Sequence, residues 1–257
     1  MEYVHFSLKE QLNNHLLRYH TVPDSIDLSF NIDGLPLFKS SGRTMWPVLC
    51  AVHLKPTIVF PVTLTCGGAK PTDLHFLDDM VADINDLLSS GLQHRDKPLT
   101  FNILCIVCDA QAKAFFKNVK LCSGYYGCDR CDQRGEWHNK VTYQETELTL
   151  RSDASFRQQR QREHHRGSTP LLDLPINMVS AFPVDYMHQA CLGVMKRLLL
   201  MWSRGEKRFK MSASQINEVS SRLAALKPYI PSTFSRKPRG LEELERWKAT
   251  EFRQFPR

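Results

Sequence analysis

No stretch of the 257 residues approaches the run of roughly 20 apolar residues that a membrane-spanning helix needs, so no such helix is expected. The opening, MEYVHFSLKE, lacks a basic segment followed by an apolar one, which argues against a secretory leader and for an intracellular protein. Internal repeats and low-complexity segments are also missing. With 42% hydrophobic and 24% charged residues, the composition gives no reason to expect wholesale disorder. In an intracellular chain the eight cysteines read first as thiols or metal ligands, and only then as disulfides. Acidic residues are in short supply: 27 Asp and Glu face 34 Lys and Arg, a net charge of +7 that favours a polyanionic partner.

A short helical opening (SLKEQLNNHLLRY) gives way to three closely spaced strand candidates, IDLSFNID, WPVLCAVHL and TIVFPVTLTCG. Turn signals such as SSGRT and KP separate them. A helix is expected at about 71–90, where PTDLHFLDDMVADINDLL opens on Pro and Asp and repeats apolar residues at helical spacing before Gly91. A fourth strand, in LTFNILCIVCDAQAKAFFKN, ends at Asp109 and leads straight into a helix. This order is that of an α/β fold with a ribonuclease H-like core, a mixed sheet flanked by helices, although many α+β folds begin the same way. Residues 122–183 break the pattern, and helices are expected again at about 184–203, 213–227 and 240–255. The implied division is a helical lead-in (1–25), the first part of the core (26–121), a zinc-knuckle and helical insertion (122–239) and a C-terminal core helix (240–257).

Three groups of residues could carry chemistry. Asp33, before the turn-forming Gly34, and Asp109 both stand at strand ends, where two neighbouring strands could bring their carboxylates together on divalent cations. A third acid would come from a late helix. At about 100° per residue Glu251 falls between Trp247 and Leu244 on the apolar face of the last segment; the alternative is an acid paired with Lys248 one turn back. Asp185, at a helix start, is its rival. CDRC at Cys128–Cys131 is a knuckle suited to two thiolates on Zn²⁺, with Cys122, His138, His164, His165 and His188 as further donors. Finally, FPVDYMHQACLGVMKRLLLMW reads as an amphipathic helix through Val184, Met187, Cys191, Val194, Leu198 and Trp202, with His188 beside that face.

Taken together, NIDGLPLFKSSGRTMWPVLC, CDAQAKAF, GYYGCDRC, FPVDYMHQACLGVMKRLL and RWKATEFRQF resemble transposases of the CACTA (En/Spm-type) group and related transposase-derived animal proteins, from about residue 27 onward. The resemblance implies a DDE core in which Asp33, Asp109 and Glu251 hold Mg²⁺ or Mn²⁺ for DNA strand cleavage and strand transfer. It implies structural Zn²⁺ on Cys128, Cys131 and His188, a DNA partner, nuclear localisation and no small-molecule substrate; homo-oligomers are compatible with it. Arg157, Arg160, Arg162, Arg166, Lys196, Arg197, Lys207 and Arg208, from two basic stretches, become candidate phosphate contacts. Only six residues follow Glu251, and no separate DNA-binding module precedes the core. The alternatives are therefore a non-catalytic nucleic-acid or protein-binding module derived from such an enzyme, and a ribonuclease H-like nuclease that does not transpose.

Overall fold

Alternation of apolar and polar residues in SIDLSFNI makes β2 (Ser25–Ile32) a strand with one buried face, Ile26, Leu28, Phe30 and Ile32 all facing the core. β2 lies at the centre of a seven-stranded mixed sheet together with β1 (Glu2–His5), β3 (Leu35–Pro36), β4 (Thr44–Val52), β5 (Ile58–Gly67), β6 (Leu92–His94) and β7 (Lys97–Val107). The order is β1-β5-β4-β2-β7-β6, with β3 added alongside β4. β2, β4 and β5 pair antiparallel, whereas β7 runs parallel to β2. The computed structural model describes residues 1–38, 42–234 and 236–255, so the expected SSGRT turn falls partly outside the described residues.

Two compact units divide the chain, Met1–Pro183 and Val184–Arg257. In the first, α1 (Leu8–Leu16) buries Leu8, Leu12 and Leu16 at four-residue spacing, and α2 (Asp78–Ser90) buries Met80, Val81, Ile84 and Leu87. Both helices contribute to the core over the sheet, as helical periodicity requires. The first 25 residues are more than a helical lead-in, because β1 closes the sheet edge against β5. α3 (Ala110–Phe116) follows β7, and an irregular stretch carries the β8 (Glu136–Trp137) and β9 (Val141–Thr142) ribbon and the short α4 (Asp153–Arg157). This stretch returns to the sheet, where the Ile106 amide donates to the Ala181 carbonyl at 2.8 Å. The boundary between the units thus falls inside the segment 122–239 expected as one insertion.

The second unit is helical. It holds a π-helix (Tyr186–Met195), α5 (Lys196–Arg204), α6 (Ala213–Leu226), a 3₁₀ turn (Leu241–Arg246) and α7 (Ala249–Gln254) around Cys191, Leu199, Leu223, Leu241, Leu244, Trp247 and Phe252. Two differences from the periodicity argument arise where the chain departs from a continuous α-helix. The wider winding of the π-helix turns Met187 and Val194 outward, and Val184, before the helix, is exposed too, so of the expected apolar face only Cys191 is buried, with Trp202 packed against the same core. The 240–255 helix is likewise two pieces, interrupted at Trp247 and Lys248, so no single helical wheel applies across it.

Candidate functional site

Asn31 and Val107 are register partners in the parallel β2–β7 pair. Asp33 and Asp109 each stand two residues beyond, at the same end of neighbouring strands whose spacing is about 4.8 Å. The Asn31 side chain fastens the two strands just below the acids, its amide donating to the Val107 carbonyl at 3.2 Å. Asp109 is also the N-cap of α3: its Oδ1 accepts from the Ala112 amide at 2.6 Å, which fixes the carboxylate and leaves Oδ2 outside the cap. Asp33 accepts from the Gly34 amide at 2.8 Å.

Gly34 has a reason beyond the turn. A Cβ there would lie 2.8 Å from Cζ2 of Trp46, so the indole closes directly on the backbone beside Asp33. Gly34→Ala is expected to push the ring aside and destabilise the unit by about 1–3 kcal/mol, read as a lower urea midpoint. Trp46 and Phe115 together form an aromatic platform, over which the Lys70 ammonium lies 3.7 Å from the Phe115 ring centre and 5.7 Å from that of Trp46. Partial desolvation lowers the Lys70 pKa, the negative charge of Asp109 pulls it back up, and Arg166 adds to the lowering. Lys70 thus brings positive charge to Asp109, with Arg166 close enough to Lys70 to act on it. Arg166 was legible in the basic stretch; Lys70, isolated in sequence, was not.

The knuckle is anchored from below. Cys128 and Cys131 place their sulfurs 3.2 Å apart, and burial followed by the hydrogen bond to Cys128 raises the Cys131 pKa. Between them, Asp129 accepts from Lys117, which has no solvent exposure, and lies 3.6 Å from Lys113, which donates at 2.9 Å to the Pro183 carbonyl. Arg130 donates to the carbonyls of Val179 (2.7 Å) and Phe182 (2.6 Å). Lys113 and Lys117 lie one turn apart on α3, so the knuckle is fastened to the helix that begins at Asp109. Two thiols in one turn suit zinc chemically. Among the described residues, however, no three His, Cys, Asp or Glu side chains gather into a metal-holding set.

Of the other candidate ligands, Cys122 and His138 are exposed. His164 is fully buried, with Nδ1 2.7 Å from the Tyr126 carbonyl and Nε2 without a partner, and burial pushes its pKa down to about 4. The folded protein therefore holds it neutral, while the unfolded chain takes up a proton near pH 6.5. Stability should fall as the pH drops from about 6.5 to about 4, by on the order of 3 kcal/mol, and level off below. Urea midpoints across that range check this, and His164→Gln should flatten the dependence.

In the second unit, Asp185 caps the π-helix, accepting from the Met187 amide at 2.9 Å, and its other oxygen meets Nδ1 of His188. Glu251 is buried at 3% exposure, as expected, but its partner is Arg239, at 2.7 Å (Nε) and 3.0 Å (the NH2 nitrogen). The Lys248 backbone amide, rather than its ammonium, completes the set at 2.8 Å. Burial pushes the Glu251 pKa up, but the hydrogen bonds from Arg239 and the Lys248 amide, with the positive charges of Arg239 and Arg236, together outweigh it and bring the pKa below the ordinary value. Both oxygens are engaged. A cation at Glu251 would have to displace Arg239.

The expected phosphate contacts differ in their freedom. Arg157 is committed to the fold, donating to Asp153 at 2.8 Å and to the carbonyls of Leu172, Leu174 and Ile176. Arg160 donates to Gln158 at 3.0 Å, and Arg208 pairs with Glu206 at 2.9 Å. Arg162, Arg166, Arg197 and Lys207 are exposed, whereas Lys196 is half-buried. No helix among the described residues is long and apolar enough to cross a membrane. No protein-family model matches the chain, and no curated protein matches it closely enough to establish a relative.

Proposed function

We propose that the first unit is a transposase-like catalytic core on a ribonuclease H-like fold, which cleaves DNA strands with divalent cations at Asp33 and Asp109. The observation that carries this reading is the register: β2 and β7 are parallel neighbours, and Asp33 and Asp109 each follow their last register pair, Asn31 and Val107, by two residues. Three antiparallel strands, a helix, a fourth strand parallel to the first and a further helix are the order such a core requires. Two carboxylates on separate, rigid strand ends offer the hard oxygen ligands that Mg²⁺ or Mn²⁺ prefers. Bound cations would activate the attacking oxygen and stabilise the leaving one. The protein's own contribution is to hold Asp109 by its cap, Asp33 by its turn, and Lys70 and Arg166 where phosphate charge collects.

In this reading Cys128 and Cys131 supply two thiolates to Zn²⁺, and the protein acts in the nucleus; Glu251 and Asp185, the expected third acids, and His188, the expected further zinc ligand, belong to the second unit. The full engagement of Glu251 favours a second reading, a module that binds DNA without cutting it. Incubation of the chain with supercoiled plasmid and Mg²⁺ or Mn²⁺ separates the two. The first predicts nicked circles that disappear with EDTA and with Asp33→Asn; the second predicts retarded but intact plasmid.

A further inference from the structure

The two units differ sharply in charge. The first carries 19 Lys and Arg against 20 Asp and Glu, whereas the second carries 15 against 7, so the surplus of positive charge lies wholly in residues 184–257. Part of it surrounds a concavity of about 370 Å³ lined by Lys227, Arg236, Lys237, Pro238, Arg239 and Glu251. Four cations face one carboxylate. That carboxylate is spent on Arg239, which also bonds Glu243 at 3.1 Å. Lys237 donates to the Ile230 carbonyl, a neutral acceptor that fixes the ammonium without cancelling its charge. Among the described residues neither Lys227, Arg236 nor Lys237 has an acidic partner within ion-pair distance.

We propose that this concavity binds the phosphodiester backbone of a nucleic acid. Three cations without an ion-pair contact, of which Arg236 feels the Glu251 charge only at longer range, surround a small hollow and match a tetrahedral oxyanion with several outward oxygens. The surplus of eight over the unit as a whole suits a polymer that presents many such groups. Arg239, braced by Glu251 and Glu243, forms a rigid wall, and Lys237 is fixed by the Ile230 carbonyl, so these two cations are held in place before the ligand arrives. The proposal rests on the functional reading above for its DNA partner, but not for its acids. None of these four cations belongs to the basic stretches at 151–166 and 196–210.

The test is fluorescence anisotropy of a labelled DNA duplex with the full chain, in EDTA and across a salt series, so that no cleavage contributes. The triple variant Lys227→Gln/Arg236→Gln/Lys237→Gln should bind at least tenfold more weakly at about 0.1 M salt. Its logarithmic salt slope should be shallower by about 2.7, since each of the three phosphates that is no longer neutralised removes roughly 0.9. The charge-conserving Lys227→Arg/Arg236→Lys/Lys237→Arg should bind like the wild type. Equal losses in Arg18→Gln/Lys55→Gln/Lys140→Gln, from the first unit, would reduce the effect to net charge and overturn the proposal. Unchanged duplex binding by the triple variant would overturn it too. Calorimetry with inorganic phosphate covers the other source of the same chemistry: a triple variant that loses phosphate binding but keeps DNA binding would identify a free-anion site instead. Plasmid that is never nicked, with pocket-dependent duplex binding intact, would sink the catalytic reading and leave this one standing.

Discussion

Asp109→Asn is expected to lower metal-dependent nicking of supercoiled DNA by on the order of 10³-fold, while thermal unfolding shifts by only a few degrees. The two effects separate because Asp109 is an N-cap and, in the proposed function, a cation ligand as well, and the two roles have different requirements. As N-cap it supplies one oxygen to the Ala112 amide at 2.6 Å, and an asparagine carbonyl does this about as well. As cation ligand it supplies negative charge, which asparagine lacks. Asp109→Ala should add a capping loss of about 1 kcal/mol to the same catalytic loss. Nicking by Asp109→Asn at the wild-type rate would end the acid-pair reading.

Asp33→Asn gives the matching control from the other strand. If the two acids share cations, the double variant should be hardly worse than either single one, since groups that act as a unit lose their function together. Losses that multiply would mean separate roles. Duplex binding in EDTA should survive in all three variants, which keeps a failure of chemistry distinct from a failure of binding.

The strands around these acids were legible because burial on one face leaves a period of two, as in Ile26, Leu28, Phe30 and Ile32. Asp33 and Asp109 stood out because each closes such a run. Nothing local reveals that β2 and β7 pair in parallel across some 70 residues, since register is a property of the sheet. β1 went unseen because its side chains are largely exposed and it exists by pairing with β5. The inward position of Glu251 was anticipated from a continuous helix that the structure interrupts. A helical wheel compares residues three and four apart, so it could not find Arg239 twelve positions back on the far side of that interruption. The π-helix misled the same method in the opposite sense, leaving Val194 61% exposed on a face expected to be buried.

Asp129→Asn should be the most destabilising conservative change in the first unit, at about 3–5 kcal/mol, because it leaves buried lysines without their shared carboxylate. Lys117 is fully buried, and the rings of Phe156 (4.8 Å) and Phe182 (5.2 Å) give it only partial compensation. Burial already lowers the Lys117 pKa despite the attraction of Asp129. Without that attraction it should fall further, and the sign of the pH dependence follows. Between the depressed folded pKa and the ordinary value near 10.4, the unfolded chain binds more protons, so stability rises with pH. The deficit of Asp129→Asn should therefore be largest near neutral pH and shrink as the pH approaches 10, which urea unfolding against pH would show. Lys117→Met, which removes the stranded charge and keeps much of the side-chain volume, should recover part of the loss in the Asp129→Asn background. A pH-independent deficit that Lys117→Met does not relieve would mean that Asp129 acts through the shape of the knuckle and not through its charge. Because the lysines lie on the helix capped by Asp109, the same variant should also loosen the candidate acid pair and lower nicking at temperatures where the unit remains folded.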